Sequence, residues 1–404
     1  MVRTNYDIIV VGAGIVGTSI AAHLSQTLAP HTRIALVAPA AQPATAPEPF
    51  DPRVVALTEA SRQLLEQLGV WRSVAEQRAC PYRDMHVWDG EGAGHIEFSA
   101  HDLGRDTLGH IVEHRVLNQA LERALELTAV ERWQQPVSAL LRQPDGSING
   151  VELSTNEPLQ APLIIAADGA RSLLRKMAAI DERQWSYQQS AIVATVRSQA
   201  PHGLVARQRF MNTGPLALLP LIDTPHASDG HHCSIVWSAD QAFADSLMAL
   251  DDTEFCQALE RHFERRLGTI EHVSTRHAFT LHQRHATRYA QRGLALVGDA
   301  AHSIHPLAGQ GVNLGLLDVA CLTRELQRAQ ERGLSTGEYA TLRRYERQRM
   351  GHNLTMMASM EGFKRLFGSR QPGLTLLRNR ALSGVNTLPA LKNLLAQQAM
   401  GLSL

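Results

Sequence analysis

Leu294-Ala-Leu-Val-Gly298-Asp299-Ala-Ala-His302-Ser-Ile-His305-Pro306-Leu307-Ala-Gly309-Gln310-Gly311-Val312-Asn313-Leu-Gly315-Leu-Leu-Asp318 is the stretch around which the chain is organised. An apolar run of strand length, Leu294 to Val297, ends in Gly-Asp. A loop broken by Pro306 and closely spaced glycines follows, and an apolar helical pattern opens at Val312, Leu314, Leu316 and Leu317. Strand, glycine loop and helix start in this order suit a phosphate or another anion, because the first amides of a helix are unpaired and lie at the positive end of its macrodipole. Gly309 and Gly311 let a ligand approach the backbone closely. A plain connecting turn has the same pattern, so the reading depends on a second site.

That second site is the N-terminus. Tyr6-Asp7-Ile8-Ile9-Val10-Val11 is an apolar strand-length run that feeds Gly12-Ala13-Gly14-Ile15-Val16-Gly17 and then a helical pattern through Ile20, Ala21 and Leu24. Glycines at this spacing serve a tight turn, close approach to a pyrophosphate and close packing of helix on strand. A second strand is expected over Arg33 to Val37. Where such folds carry an acidic residue for a ribose, this chain has Ala38-Pro39, so either another group holds the ribose or the register is shifted. A third strand, Leu163 to Ala166, ends at Asp168-Gly169, with Arg171 and Arg175 close behind. Continuous apolar strands are typical of parallel sheets, whose ligands sit beyond the strand carboxyl ends.

At 404 residues and 44% apolar content, the chain can bury a sizeable core. Basic and acidic residues balance at 39 each, so no global field argues for nucleic acid. Cys80, Cys233, Cys256 and Cys321 have no paired spacing, which fits reduced thiols rather than zinc or disulfides. No signal peptide and no bilayer-spanning run are expected, and a cytoplasmic protein follows.

Between these landmarks, Pro39 to Pro52 reads as a proline-rich flap, with Arg53 at its end and an amphipathic helix over Ala60 to Leu68. A hairpin is expected at Met85–Trp88 and His95–Phe98, and Ile111 to Arg115 leads into a helix over Val116 to Leu127. Strands are expected over 137–141 and 151–154 around an Asp145-Gly146 turn. Ala191–Val196, Gln208–Met211, Ala217–Leu221 and Cys233–Trp237 read as an antiparallel sheet separated by Gly214-Pro215, Pro220 and a polar loop. Asp251 caps a helix with a buried stripe of Phe255, Leu259 and Phe263, stopped by Gly268; Phe210, Trp237 and Phe279 read as core. From Arg343 onward ten basic residues face two acidic ones in a Met- and Leu-rich helical segment, a pattern that suits an anionic membrane surface or equally a solvated face.

The fold class expected is therefore α/β. A Rossmann-like, discontinuous nucleotide domain (residues 1–80, 105–180 and 285–340) carries a parallel sheet. A substrate domain with a largely antiparallel sheet (81–104 and 181–284) and a helical C-terminal region (341–404) complete it.

Taken together, Gly12-x-Gly14-x-x-Gly17, Asp168-Gly169 and Gly298-Asp299 with Pro306 to Gly315 resemble the three fingerprints of the group A aromatic-ring flavin monooxygenases, of the p-hydroxybenzoate hydroxylase fold. The resemblance runs the length of the chain. It extends to the ubiquinone-biosynthesis hydroxylases through Arg53-Val-Val-Ala-Leu57, Leu108-Gly-His-Ile-Val-Glu113, Gly214-Pro-Leu-Ala-Leu-Leu-Pro220, Cys233-Ser-Ile-Val-Trp237 and Leu342-Arg-Arg-Tyr-Glu-Arg347. Met85-His-Val-Trp88, Gly94-His-Ile and Gln398-Ala-Met-Gly-Leu402 are similar to its 2-polyprenylphenol hydroxylase branch.

The resemblance implies FAD as cofactor, NADPH or NADH as electron donor, dioxygen, and a polyprenylated phenol hydroxylated through a flavin hydroperoxide. It implies that Gly12, Gly14 and Gly17 hold the pyrophosphate and Gly298-Asp299 the ribityl chain or adjacent phosphate. Arg53 and Arg115 would flank the cofactor, and Asp168-Gly169 would be shared with the nicotinamide nucleotide. Pro306, Leu307, Gly309, Gln310, Gly311, Val312 and Asn313 would lie beside the flavin ring. No side-chain acid or base is obligatory, because the cofactor carries the chemistry; His302 and His305 read as structural. A ubiquinone-biosynthesis complex and a peripheral place on the inner membrane face are the implied partners. Other flavin reductases or halogenases, and a flavin-binding scaffold with its ribose site eroded at Ala38, are the alternatives; no Trp-x-Trp-x-Ile-Pro signature is present.

Overall fold

The computed structural model describes residues 5–40, 49–90, 92, 94–224, 229–303 and 311–368. The first sheet has six strands, and in spatial order they are Ala290–Gln291, Leu294–Leu296, Leu163–Ala166, Ile8–Val11, Ile34–Val37 and Glu131–Trp133. All but the short edge strand run parallel: Val11 pairs with both Ala166 and Val37, and Ala166 pairs with Leu296. The three strands of the glycine and Asp motifs are thus direct neighbours, and their carboxyl ends open side by side. Their residues are buried on both faces, as parallel strands under helices must be. Helices Ile15–Thr27, Gly311–Glu331 and Tyr339–Gly368 supply much of the cover.

The larger sheet is built from Asp84–Asp89, His95–Ser99, Glu182–Ser198, Val205–Met211, Gly214–Pro220, His232–Asp240, Ile270–Val273, His277–Ala286 and His302–Ser303. It is antiparallel except where Val205–Met211 runs parallel to Asp84–Asp89. One face packs on helices Gln241–Ala249 and Asp252–His262 around Trp237, Phe255 and Phe263. Its other face meets a three-stranded sheet of Val54–Leu57, Gly109–Glu113 and Ala79–Tyr82.

Several details differ from the expectations. Gly214-Pro215 and Pro220 do not separate strands; they begin and end one, at positions where a missing amide costs least. Gly268 does not stop the helix capped by Asp251. The helix ends at His262, and Glu264 and Arg265 take left-handed conformations to turn the chain. Phe279 is 46% exposed, because nothing among the described residues covers its part of strand His277–Ala286; Phe210 and Trp237 are core. Most of the proline-rich flap, residues 41–48, lies outside the described residues.

Candidate functional site

The glycine loop divides its work by position. Gly12 has a φ of +109°, donates its amide to the Val37 carbonyl at 2.8 Å, and leaves no room for a side chain, since a Cβ would stand 2.3 Å from the Ala167 oxygen. A Cβ on Gly17 would lie 1.8 Å from the Gly12 oxygen, so this glycine lets the helix settle onto the loop. Gly14 is different: it is exposed, it caps helix Ile15–Thr27, and nothing among the described residues lies within 4 Å of its absent Cβ. The outer glycines are filled by the chain's own packing, while the middle one opens at a helix N-terminus, a cradle that fits a pyrophosphate.

The neighbouring loops are tied to each other. Asp168 accepts the Leu174 amide through Oδ2, while its Oδ1 is buried without a partner among the described residues. Gly169 takes a φ of +79°. Buried Arg175 donates to the Ala170 carbonyl at 3.1 Å and to the Ala300 carbonyl at 2.8 Å, and pairs with Glu182 at 2.6 Å. One guanidinium therefore fixes the loop after Asp168 against the loop after Asp299. Asp299 keeps an exposed face yet is desolvated by the protein packed about it, which pushes its carboxyl above the usual carboxylate range. Gly298 has a φ of +58° and donates to Asp318 at 2.9 Å, which turns the next residue outward.

The start of helix Gly311–Glu331 is pinned by Asn313. Buried Asn313 accepts the Thr58 amide at 3.1 Å and the Ser61 hydroxyl at 2.7 Å, and donates to the Ala56 carbonyl at 2.8 Å. Gly311 has open space at its absent Cβ and Val312 packs on the core. Pro306, Leu307, Gly309, Gln310 and His305 lie outside the described residues.

Arg53 and Arg115 are brought together through Asp51, whose carboxylate accepts the Arg53 amide and the Arg115 amide, both at 2.9 Å. Asp51 in turn donates its amide to buried Glu113 at 2.6 Å, and Glu113 pairs with Arg78 and Arg115. The Arg53 side chain is exposed. At the end of the second strand the register is as read from the sequence: Val37 lies opposite Val11, and Ala38 donates its amide to the Trp133 carbonyl at 3.0 Å. No acidic side chain therefore follows that strand.

A small apolar pocket, open at its mouth, lies between the large sheet and the three-stranded one. Ala56 and Ile111 line one side, Gln208 and Leu219 the other, and Tyr82 and Met85 lie between. Ala56 links it to the start of helix Gly311–Glu331, because its carbonyl is the one held by Asn313.

The model of the FAD binding domain family matches residues 5–358. The chain belongs to this family. It is 38% identical to the 3-demethoxyubiquinol 3-hydroxylase of Escherichia coli over 98% of both chains. It is 35% identical to the mitochondrial ubiquinone biosynthesis monooxygenase of Xenopus tropicalis, over 96% of this chain and 91% of that one. A ubiquinone hydroxylase of Rhodospirillum rubrum is 34% identical over 98% of this chain and 89% of its own. The crystal structure of p-nitrophenol 4-monooxygenase from Pseudomonas putida has the same fold, with a TM-score of 0.76 at 19% identity over 99% of each chain. So does a Klebsiella pneumoniae protein complexed with FAD and uric acid, with a TM-score of 0.72 at 18% identity over 97% of each chain. This flavoprotein is an FAD-dependent monooxygenase of the ubiquinone-biosynthesis hydroxylase group, with NAD(P)H the electron donor typical of its class.

Sequence reading gave no role to several residues that tie the candidate site together. Asp51 and Glu113 bind the two arginine segments, and Asp318 holds Gly298. Asp318 closes the organising stretch at helical spacing from Leu314, and an acid on the buried stripe of a helix is the signal that marks it. Gln208 has a similar signal, as a polar residue that alternates with Ala206 and Phe210 on an apolar strand face.

Proposed function

We propose that this monooxygenase hydroxylates the ring of a polyprenylated phenol in ubiquinone biosynthesis. The observation that carries the reading is the apolar cavity whose wall residue Ala56 is hydrogen-bonded to Asn313 at the start of the helix after the flavin-side loop. The names of the similar hydroxylases support a substrate of this class.

FAD, when bound, supplies reduction by NAD(P)H and the activation of dioxygen. Gly12, Gly14 and Gly17 would hold its pyrophosphate on the amides of helix Ile15–Thr27, and Asp299 its ribityl chain. Arg53 and Arg115 would flank it, and Asp168-Gly169 would face both FAD and the nicotinamide nucleotide. The segment from Pro306 through Gly309 and Gln310 to Gly311, Val312 and Asn313 would lie at the ring, with helix-start amides that favour negative charge there. The protein's own task is to place the phenol ring in a dry, apolar space. The test is aerobic incubation of the FAD-loaded protein with NADPH and a short-chain prenylated phenol. Phenol-stimulated NADPH oxidation with a product heavier by one oxygen supports the reading; oxidation that ignores the phenol refutes it.

A peripheral place on an anionic membrane is the second half of the proposal. No helix among the described residues is long and apolar enough to cross a membrane. Of the basic residues from Arg343 onward, Arg343, Arg344 and Arg349 pair with Glu346, Glu325 and Asp318 inside the fold. Leu342, Tyr345 and Asn353 are core, so the segment to remove in a liposome sedimentation assay is the one after Gly368. Equal sedimentation of full and shortened chains would refute this half.

A further inference from the structure

The turn from Gly298 to His302 is held from behind, and Asp299 is the residue it presents. The Gly298 amide donates to Asp318 Oδ2 at 2.9 Å, the Ala300 carbonyl accepts from Arg175 at 2.8 Å, and the Ala301 carbonyl accepts the Ala286 amide at 2.8 Å. Buried His302 ends the turn: its backbone pairs with His285 in the large sheet, and its Nε2 meets Asp318 Oδ2 at 2.6 Å. A carboxylate only accepts, so Nε2 carries the hydrogen. Gly298 and Gly315 leave the gap that Val16 of helix Ile15–Thr27 fills; a Cβ on them would stand 3.1 Å and 2.5 Å from a Val16 methyl. The turn is thereby fixed relative to Gly14 as well. Within it Asp299 alone is exposed, and its carboxylate has no hydrogen-bond partner among the described residues.

Asp318 is in turn placed by Arg349, whose Nε donates to Oδ1 at 2.6 Å while its Nη2 donates to Asn353 at 2.9 Å and to the Leu314 carbonyl at 3.3 Å. Leu314 lies near the start of helix Gly311–Glu331, so one guanidinium holds both that helix start and the acid under the turn. A buried ion pair is a weak source of net stability, and what it can fix is a single geometry. We propose that His302 is a positioning residue for the cofactor: with Asp318 and Arg349 it holds the turn so that, already in the apoprotein, the Asp299 carboxylate is aimed at the place of the ribityl hydroxyls. The proposal rests on the reading of Asp299 as an FAD contact and deepens it. Hydrogen bonds from hydroxyl to carboxylate form at about 2.5–2.7 Å, so a turn free to drift by about 1 Å loses most of what Asp299 contributes. His302 lies behind the turn and acts through Asp299.

The full-length protein is stripped of FAD and titrated with it by flavin fluorescence, as wild type, His302→Leu, His302→Gln, Asp299→Asn and the Asp299→Asn/His302→Leu double variant. Asp299→Asn is expected to raise the FAD Kd about tenfold. His302→Leu is expected to raise it about tenfold beside the native Asp299 but less than about twofold in the Asp299→Asn background, because a residue that acts through another has nothing left to act on. His302→Gln keeps an N–H for Asp318 and is expected to stay within about threefold of wild type. The fall in Tm caused by His302→Leu should be equal in both backgrounds, which separates positioning from stability. An equal rise in Kd in both backgrounds, or wild-type Kd in His302→Leu, overturns the proposal and leaves the monooxygenase reading intact. Wild-type Kd in Asp299→Asn overturns the placement of Asp299 on the cofactor as well. Hydrogen exchange of the wild type needs no variant to fold: the amides of residues 298–303 should be protected in the apoprotein already. Protection that arises only with FAD would show that the cofactor, and not His302 with Asp318, orders the turn, and overturns the proposal.

Discussion

Asp318 and His302 share a hydrogen bond of 2.6 Å between side chains that solvent scarcely reaches. The other Asp318 oxygen accepts from Arg349 Nε at 2.6 Å, so an acid on helix Gly311–Glu331 joins the Gly298–His302 turn to the long helix Tyr339–Gly368. Arg349 continues to Asn353, Asn353 to the Tyr289 hydroxyl, and that hydroxyl to His285.

Burial alone would raise the Asp318 carboxyl, but His302 and Arg349 outweigh it and hold the group at about 2. A folded pKa below the unfolded value of about 3.9 gives stability that is fully present above pH ~4 and lost as the pH falls through ~2. Urea unfolding across this window should show that loss in the wild type and lack it in Asp318→Asn. At neutral pH the same substitution should cost about 3–5 kcal/mol, because it leaves the Arg349 charge buried and unpaired. Acid curves of equal slope for the two proteins would show that the pair is not ionised as described.

The three glycines of the first loop predict three different outcomes. Gly12→Ala and Gly17→Ala place a methyl within 2.3 Å and 1.8 Å of backbone oxygens, so both should destabilise the apoprotein by several kcal/mol. Gly14→Ala meets nothing within 4 Å among the described residues and should leave apoprotein stability within about 0.5 kcal/mol. It should nevertheless weaken FAD binding about tenfold or more, roughly 1.4 kcal/mol, because the methyl enters the space proposed for the pyrophosphate. Thermal melts of apoprotein and fluorescence titration with FAD separate the two effects. A Gly14→Ala protein with wild-type affinity would place the phosphates elsewhere.

Cys80, Cys233, Cys256 and Cys321 are all free and buried, and burial pushes every one of their thiols up, that of Cys233 to about 12. Thiolate is the reactive form. Native protein should therefore react with a thiol reagent at well below one equivalent over the minutes in which urea-unfolded protein takes up four. Fast labelling of one thiol without urea would reveal local opening around that residue.

Much of the parallel sheet was legible because each strand carries its own punctuation: Val11, Ala166 and Leu296 end apolar runs at Gly12, Asp168-Gly169 and Gly298-Asp299. The Asp251 cap was equally local. The large sheet was harder. Strand Glu182–Ser198 is 17 residues long and slips register between Ser186 and Ser190, where Gln188 takes a positive φ, which no short apolar run announces. Phe279 misled because the burial of a sheet face depends on what packs over it, which is a tertiary matter. Tyr82 and Gln208 are 126 positions apart and come to line one pocket only when two sheets pack against each other.

Asn313 joins that cavity to the helix start, and its substitution should separate folding from coupling. Asn313→Ala removes the acceptor of the Thr58 amide and the donor to the Ala56 carbonyl, leaving buried backbone groups unpaired at a cost of about 2–3 kcal/mol. Asn313→Asp keeps the acceptor for Thr58 and Ser61, and a carboxylate is tolerated in the first turn of a helix, so it should retain more stability than Ala. It still cannot donate to Ala56, and it sets negative charge against that carbonyl. The cavity wall at Ala56 is then released in both variants. Product formed per NADPH should fall in both, by about tenfold in Asn313→Ala, since loss of ring placement matters more to oxygen transfer than to reduction. Chemical unfolding gives the first quantity and oxygen-consumption assays with product analysis give the second. Wild-type coupling in a folded Asn313→Asp protein would show that the Ala56 hydrogen bond holds the helix without shaping the cavity.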